Sequence, residues 1–279
     1  ISSNTLVIEL YTDRRGTFLN IHHTFFAAGS LVAPLIVSLL HSRSYEWFTT
    51  FFILGFIALL IGIIMSMSNV SALLPQSVKA ARINRTRGFG KYREVLHEKR
   101  FLMVLIIAFL AIGVQFGIIY MLVSFLVKTR AVALYEASFV LSGFFGLLMI
   151  GRLFCSWLVA RYSSRHVITS LLILLTVSLI AGWLTEGVFS LLMFALTGLA
   201  CSGIMPTLIA LASHFLPQQV MGAALGLLAL AGGFGGMLLS YLTSGFAELV
   251  GLHFSFLVVI TASVAVTIYF FTVSSKFTS

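Results

Sequence analysis

Charge is what this sequence has least of. Its 279 residues include only 17 Lys and Arg and 8 Asp and Glu, 9% in all, against 59% hydrophobic residues. The mean hydropathy is +1.09. A water-soluble domain commonly carries about 25% charged residues, because its surface faces water. A surface as apolar as this one would aggregate in water, so lipid is the medium expected around the fold. Cysteine is almost missing as well. Cys155 and Cys201 both sit inside apolar runs, which excludes a disulfide framework and leaves them as small buried side chains. The first residues do not carry the basic-then-apolar pattern of a signal peptide. The chain opens at Ile1 in what reads as the end of a span, as expected of a fragment of a longer protein.

Catalytic signatures are missing too. There is no HExxH, no pair of acids lies within an apolar run, and His22-His23 has no acidic partner at helical spacing. A membrane-embedded enzyme needs a nucleophile, a base or a metal set, so no enzyme activity, metal or cofactor is expected. Gly226, Gly232, Gly233, Gly235 and Gly236 invite comparison with a phosphate-binding loop, but no Lys-Ser/Thr pair follows them. In an apolar helix, small residues instead let two backbones approach and slide.

What is present is a series of long apolar runs. A helix needs roughly 20 apolar residues to cross a bilayer. Such windows occur at 17–40, 47–68, 101–127, 137–160, 167–185, 188–214, 220–247 and 254–275, with a partial one at 1–10. The predicted fold is therefore all-α and polytopic, with eight crossings and a stump. Basic residues separate cleanly across this ladder. Arg14, Arg15, Lys79, Arg82, Arg85, Arg87, Lys91, Arg93, Lys99, Arg100, Arg152, Arg161, Arg165 and Lys276 fall in alternate loops or adjoining helix ends. Arg43, Lys128 and Arg130 fall in the others. Fourteen against three places the first set in the cytoplasm, by the positive-inside rule. The net charge of +9 thereby finds its partner in the anionic inner leaflet of a plasma membrane, and no nucleic acid is expected.

One connection stands apart. Residues 70–100 are polar, hold eight of the basic residues, and contain the breakers Pro75, Gly88 and Gly90. They read as a basic linker between two bundles, with 91–100 as a short surface helix. An internal repeat supports two bundles. Gly16, Asn20, His23, Ala27, Ser30 and Pro34 correspond at constant offset to Gly222, Gly226, Ala229, Gly233, Gly236 and Ser240. Both sets trace one small or polar helix face. Residues 101–279 then form a complete six-span half, and residues 1–69 the end of span four with spans five and six of the other. Three to four spans of a twelve-span protein would be absent.

Six plus six spans, a basic central linker and a glycine-rich eleventh span resemble the major facilitator superfamily. Gly151-Arg152 through Arg161 and Arg165 is similar to that family's loop between spans eight and nine. The acid usual before the first of the last two arginines is Ala160 here, a departure that bears on any charge lock at this loop. Asn4 and the run Leu19-Asn20-Ile21-His22-His23-Thr24-Phe25, followed by Gly29 and Pro34, resemble the fucose permease and related sugar transporters. That resemblance implies a monomeric secondary transporter moving a monosaccharide, often with a proton, by alternating access. Efflux of amphipathic compounds is the other transport reading, kept open by Phe25, Phe26 and the Phe-rich span six.

Polar residues inside spans are costly and tend to be functional. Asn20 and His23 share a face and offer both donors and acceptors to sugar hydroxyls; an interhelical hydrogen bond is the competing role. Asn4, Gln115, Tyr120 and Cys201 complete the expected substrate set, Gln115 and Tyr120 projecting from opposite faces. Glu9, at the membrane boundary, is expected to pair with Arg14 or Arg15. Arg14, Arg15, Gly151, Arg152, Arg161, Arg165, Pro206, Gly226, Gly233 and Gly236 are the expected conformational residues. Pro206 cannot donate to the carbonyl of Ser202, leaving an acceptor free in mid-helix. Either that carbonyl faces a cavity or Pro206 merely bends the helix.

Overall fold

The computed structural model describes residues 2–42, 45–67 and 90–277. Arg43, Lys79, Arg82, Arg85 and Arg87 lie outside the described residues, as do the side chains of Glu9 and Pro34. Eleven α-helices are described: α1 (Ser2–Leu10), α2 (Arg15–Ser42), α3 (Trp47–Met67), α4 (Gly90–His97), α5 (Lys99–Arg130), α6 (Leu134–Arg161), α7 (Ser164–Leu184), α8 (Gly187–Cys201), α9 (Ile204–Phe215), α10 (Met221–Val250) and α11 (Leu252–Val273). No strand occurs among them. In lipid each backbone N–H and C=O must find its partner within the chain, and a helix does this locally.

Six helical stretches are long and apolar enough to cross a membrane: Lys99–Arg130, Leu134–Arg161, Ser164–Leu184, Gly187–Phe215, Gln218–Val250 and Leu252–Phe277. They fill the six windows expected from 101 onward. The window at 47–68 appears as α3, with a shorter apolar stretch Phe48–Ile64. The window at 17–40 lies within α2, 28 residues long. The surface helix expected over 91–100 is α4, closed by Glu98. The Glu98 carboxylate accepts from the Arg100 N–H at 3.2 Å and its Nε at 3.0 Å, capping α5. Ala131, in the left-handed region at φ 51°, ends α5 by donating its N–H to Leu126 O. Ser163 accepts from the His166 N–H at 3.5 Å and starts α7.

The chain divides into two compact units, residues 1–28 with 89–279 and residues 29–88. In the smaller, α3 is apolar on all sides, with Phe51, Phe52 and Phe56 exposed; a helix of this kind needs an apolar surround. In the larger, α10 runs along α5 at close quarters, so that a Cβ on Gly113 would meet Gly235 O at 2.9 Å. Phe125, Phe194 and Phe256 form an aromatic centre from α5, α8 and α11, with centroids 4.5–5.5 Å apart. Hydroxyls tie α7 to α11: Thr176 Oγ1 lies 2.8 Å from Ser263 Oγ and 2.9 Å from Thr267 Oγ1. These part-buried bonds fix the rotation of each helix, which apolar side chains alone specify weakly.

Candidate functional site

The site begins at a missing hydrogen. Pro206 has no N–H, so the carbonyl of Ser202, one turn earlier, has no helical donor. The helix is in fact interrupted here, between α8 ending at Cys201 and α9 starting at Ile204. Arg152 supplies the missing donor, from Nε to Ser202 O at 3.2 Å. Small residues let α6 come this close. A Cβ on Gly151 would stand 2.5 Å from Ser202 Oγ, and one on Gly203 2.5 Å from Cys155 Sγ. Cys155 Sγ lies 3.5 Å from Ser202 Oγ, and Cys201 is buried next to the break.

The charge pattern of the sequence groups Arg152 with the loops and helix ends, and the structure corrects this. It is buried inside α6, roughly 13 Å of helix short of the end at Arg161. The misplacement arose because Arg152, Arg161 and Arg165 read together as one polar stretch. Leu153, Phe154, Cys155 and Trp157 between them belong to a continuing helix.

The same guanidinium reaches α2. Arg152 Nη1 donates to the backbone carbonyl of His23, and the Phe26 ring lies 5.5 Å from its centre. Lower on α2, Arg15 Nη1 donates to Ser213 O at 2.7 Å and to Ser213 Oγ at 3.3 Å. Thr17 Oγ1 donates to Ser156 O at 3.0 Å. A Cβ on Gly16 would meet Val159 at 3.1 Å and Ala210 at 3.6 Å. The first half of α2 thus lies antiparallel to α9, with Arg15 at Ser213, Gly16 at Ala210 and His23 joined to Ser202 through Arg152. That register puts Asn20 at the level of Pro206 and Thr207.

Unsatisfied polar atoms collect along this register. Asn20 is fully buried; its Nδ2 donates to Gly16 O at 2.9 Å, while its Oδ1 has no partner. His23 Nε2, Thr207 Oγ1 and Arg15 Nε are likewise buried without one. So is Oδ1 of Asn4, on α1, which packs on α10. Each buried polar atom without a partner costs about 1–3 kcal/mol, so several on adjoining helices call for a polar guest or ordered water. His22 stands edge-on to His23, with ring centroids 5.6 Å apart.

The remaining expected residues are dispersed. Gln115 is buried in α5, whereas Tyr120 is exposed and stacks on Phe116 at 5.8 Å. The α10 stripe is split. A Cβ on Gly226 or Gly233 would meet nothing, but one on Gly236 would press on Phe116 at 2.7 Å. Arg14, Arg15, Arg161 and Arg165 do come together, around a cavity of ≈ 860 Å³ where α2 starts and α6 ends. At the opposite end Arg130 pairs with Glu186 at 2.6 Å and donates to Trp183 O.

Residues 1–153 and 129–278 each match the family model of the Major Facilitator Superfamily. The chain belongs to the major facilitator superfamily. Its fold is similar to that of the major facilitator transporter FucP in its outward conformation, with a TM-score of 0.71 and 17% identity over 92% of this chain and 68% of that one. It is equally similar, at 0.71 and 16% identity over the same shares, to a single-site variant of the E. coli fucose:proton symporter FucP. This facilitator is therefore a multi-pass membrane protein of a secondary-transporter family. Ser213 and Ser156 are polar contacts of the facilitator that the sequence pattern does not mark, and Thr207 is a buried unpartnered hydroxyl that it does not mark either. For the Arg152–Ser202 bond a signal existed: a proline that orphans a carbonyl calls for a donor, and Arg152 is a charged residue inside a predicted span.

Proposed function

We propose that this facilitator moves a monosaccharide together with a proton, by alternating access, with Asn20 and His23 at the sugar site. The observation that carries this reading is the pair of unpartnered atoms, Asn20 Oδ1 and His23 Nε2, one turn apart on α2. An amide and an imidazole each present a donor and an acceptor, which suits vicinal hydroxyls. Asn4, Gln115, Tyr120 and Cys201 complete the candidate set. Arg14, Arg15, Gly151, Arg152, Arg161, Arg165, Pro206, Gly226, Gly233 and Gly236 serve the conformational change. Proton coupling is supported by the description of FucP as a fucose:proton symporter. Residues 1–69 and 101–279 act as parts of two halves joined by a linker at 70–100, with the basic helix ends facing the cytoplasm of a plasma membrane.

Efflux of amphipathic compounds is the second reading, favoured by the exposed Phe25 and Phe26 on the same helix. Proteoliposomes holding the intact transporter decide between them. Under an inward proton gradient, labelled hexoses or 6-deoxyhexoses should accumulate, and a protonophore should abolish the accumulation. Extrusion of amphipathic dyes with no sugar uptake would overturn the sugar reading.

A further inference from the structure

The cavity at the basic end of the helices opens at the Arg15 end of α2, about two turns from His23, and among the described residues sets four arginines against one acid. Arg14, Arg15, Arg161 and Arg165 line it together with His214, and the single acid on its wall is Asp13. Among the described residues none of these four arginines forms an ion pair; the pairs recorded are Arg100–Glu98 and Arg130–Glu186, elsewhere. Asp13 accepts only from its neighbour Thr12, at 3.5 Å. Ala160 also lies on the wall and contributes no carboxylate. The N-terminus of α7, at Ser163 and Ser164, adds the positive end of a helix dipole. Four guanidinium groups around one cavity repel each other unless an anion enters.

The geometry points to a binding site for a phosphate-type anion in this cavity, held by Arg161 and Arg165 from one side and Arg14 and Arg15 from the other. Guanidinium forks match phosphate oxygens two at a time. Depth favours a lipid headgroup as the source. The cavity lies where α2 and α7 start and α6 ends. The Arg161 guanidinium stacks on Trp157 at 4.5 Å, and Trp157 is exposed on the outer surface of α6. Tryptophan with arginine at a helix end marks the headgroup layer, where basic pockets between helices take anionic lipid. A phosphate there would bridge α2 to the α6–α7 turn and hold this end of the molecule closed.

Thermal unfolding of the intact transporter tests the site, in nanodiscs of phosphatidylcholine with and without phosphatidylglycerol, and in phosphatidylcholine with added inorganic phosphate. A headgroup site gives a rise in Tm of roughly 3 °C or more with phosphatidylglycerol and little with inorganic phosphate. A rise with inorganic phosphate alone assigns the site to the free anion. Either rise should disappear in the R161Q/R165Q double variant and persist in Lys128→Gln, at the opposite end. Ala160→Glu, which supplies the missing carboxylate without removing an arginine, should also suppress it. No rise with either probe, or a rise that survives in both R161Q/R165Q and Ala160→Glu, overturns the proposal.

Discussion

Arg152 Nε and the Ser202 carbonyl meet at 3.2 Å, which joins a charge inside one helix to a backbone break in another. Removing the guanidinium should leave that carbonyl buried and bare, at a cost of about 1–3 kcal/mol. Arg152→Met is therefore expected to lower the Tm of the purified transporter. Pro206→Ala restores a helical N–H for Ser202, so the methionine variant should lose less in that background. A double-mutant cycle measures this coupling. Additive losses would mean that Arg152 does not serve the carbonyl.

His23→Ala should abolish uptake in the full-length protein while membrane expression stays intact. The side chain is half-buried, its Nε2 has no partner, and its backbone carbonyl still accepts from Arg152 after the change. Transport and surface expression, measured side by side, check this. Wild-type rates would remove His23 from the site.

Two neighbouring glycines should behave in opposite ways. A Cβ on Gly235 would strike the Phe109 carbonyl, whereas one on Gly233 would meet nothing within 4 Å. Gly235→Ala should destabilise by about 1–3 kcal/mol, the usual range for forced overpacking. Gly233→Ala should be neutral or slightly stabilising, since alanine is the better helix former. Unfolding temperatures of the two variants, compared directly, settle it.

At the opposite end, the ion pair of Arg130 with Glu186 is lopsided. Arg130 is 11% exposed and Glu186 80%. Arg130 also donates to Trp183 O and lies over the Phe125 ring at 5.7 Å. Arg130→Met should therefore lower the Tm more than Glu186→Gln, because an exposed carboxylate contributes little. Equal effects would show that the pair itself, and not the carbonyl and ring, holds the arginine.

The membrane fold was legible in the sequence because lipid enforces one rule on every span, and six windows from 101 onward became helices with few surprises. The shared face of Asn20 and His23 was legible for a similar reason, since helical spacing places them without tertiary knowledge. Arg152 was not. Whether a span tolerates a charge depends on what faces it, and here the partner is a carbonyl fifty residues away, released by Pro206. The glycine run of α10 was half legible. Periodicity grouped Gly226, Gly233 and Gly236 on one stripe, but only the packing of α5 separates the buried one from the open two.

A rod snapped in mid-bilayer would ordinarily flex at the fracture. Between α8 and α9 the fracture is splinted, since α6 lends its guanidinium to the broken end. The lower segment is thereby yoked to α6, and in the proposed alternating-access cycle the two would travel together. The third arm of the splint, to the His23 carbonyl on α2, would then be the tether that such a cycle has to release.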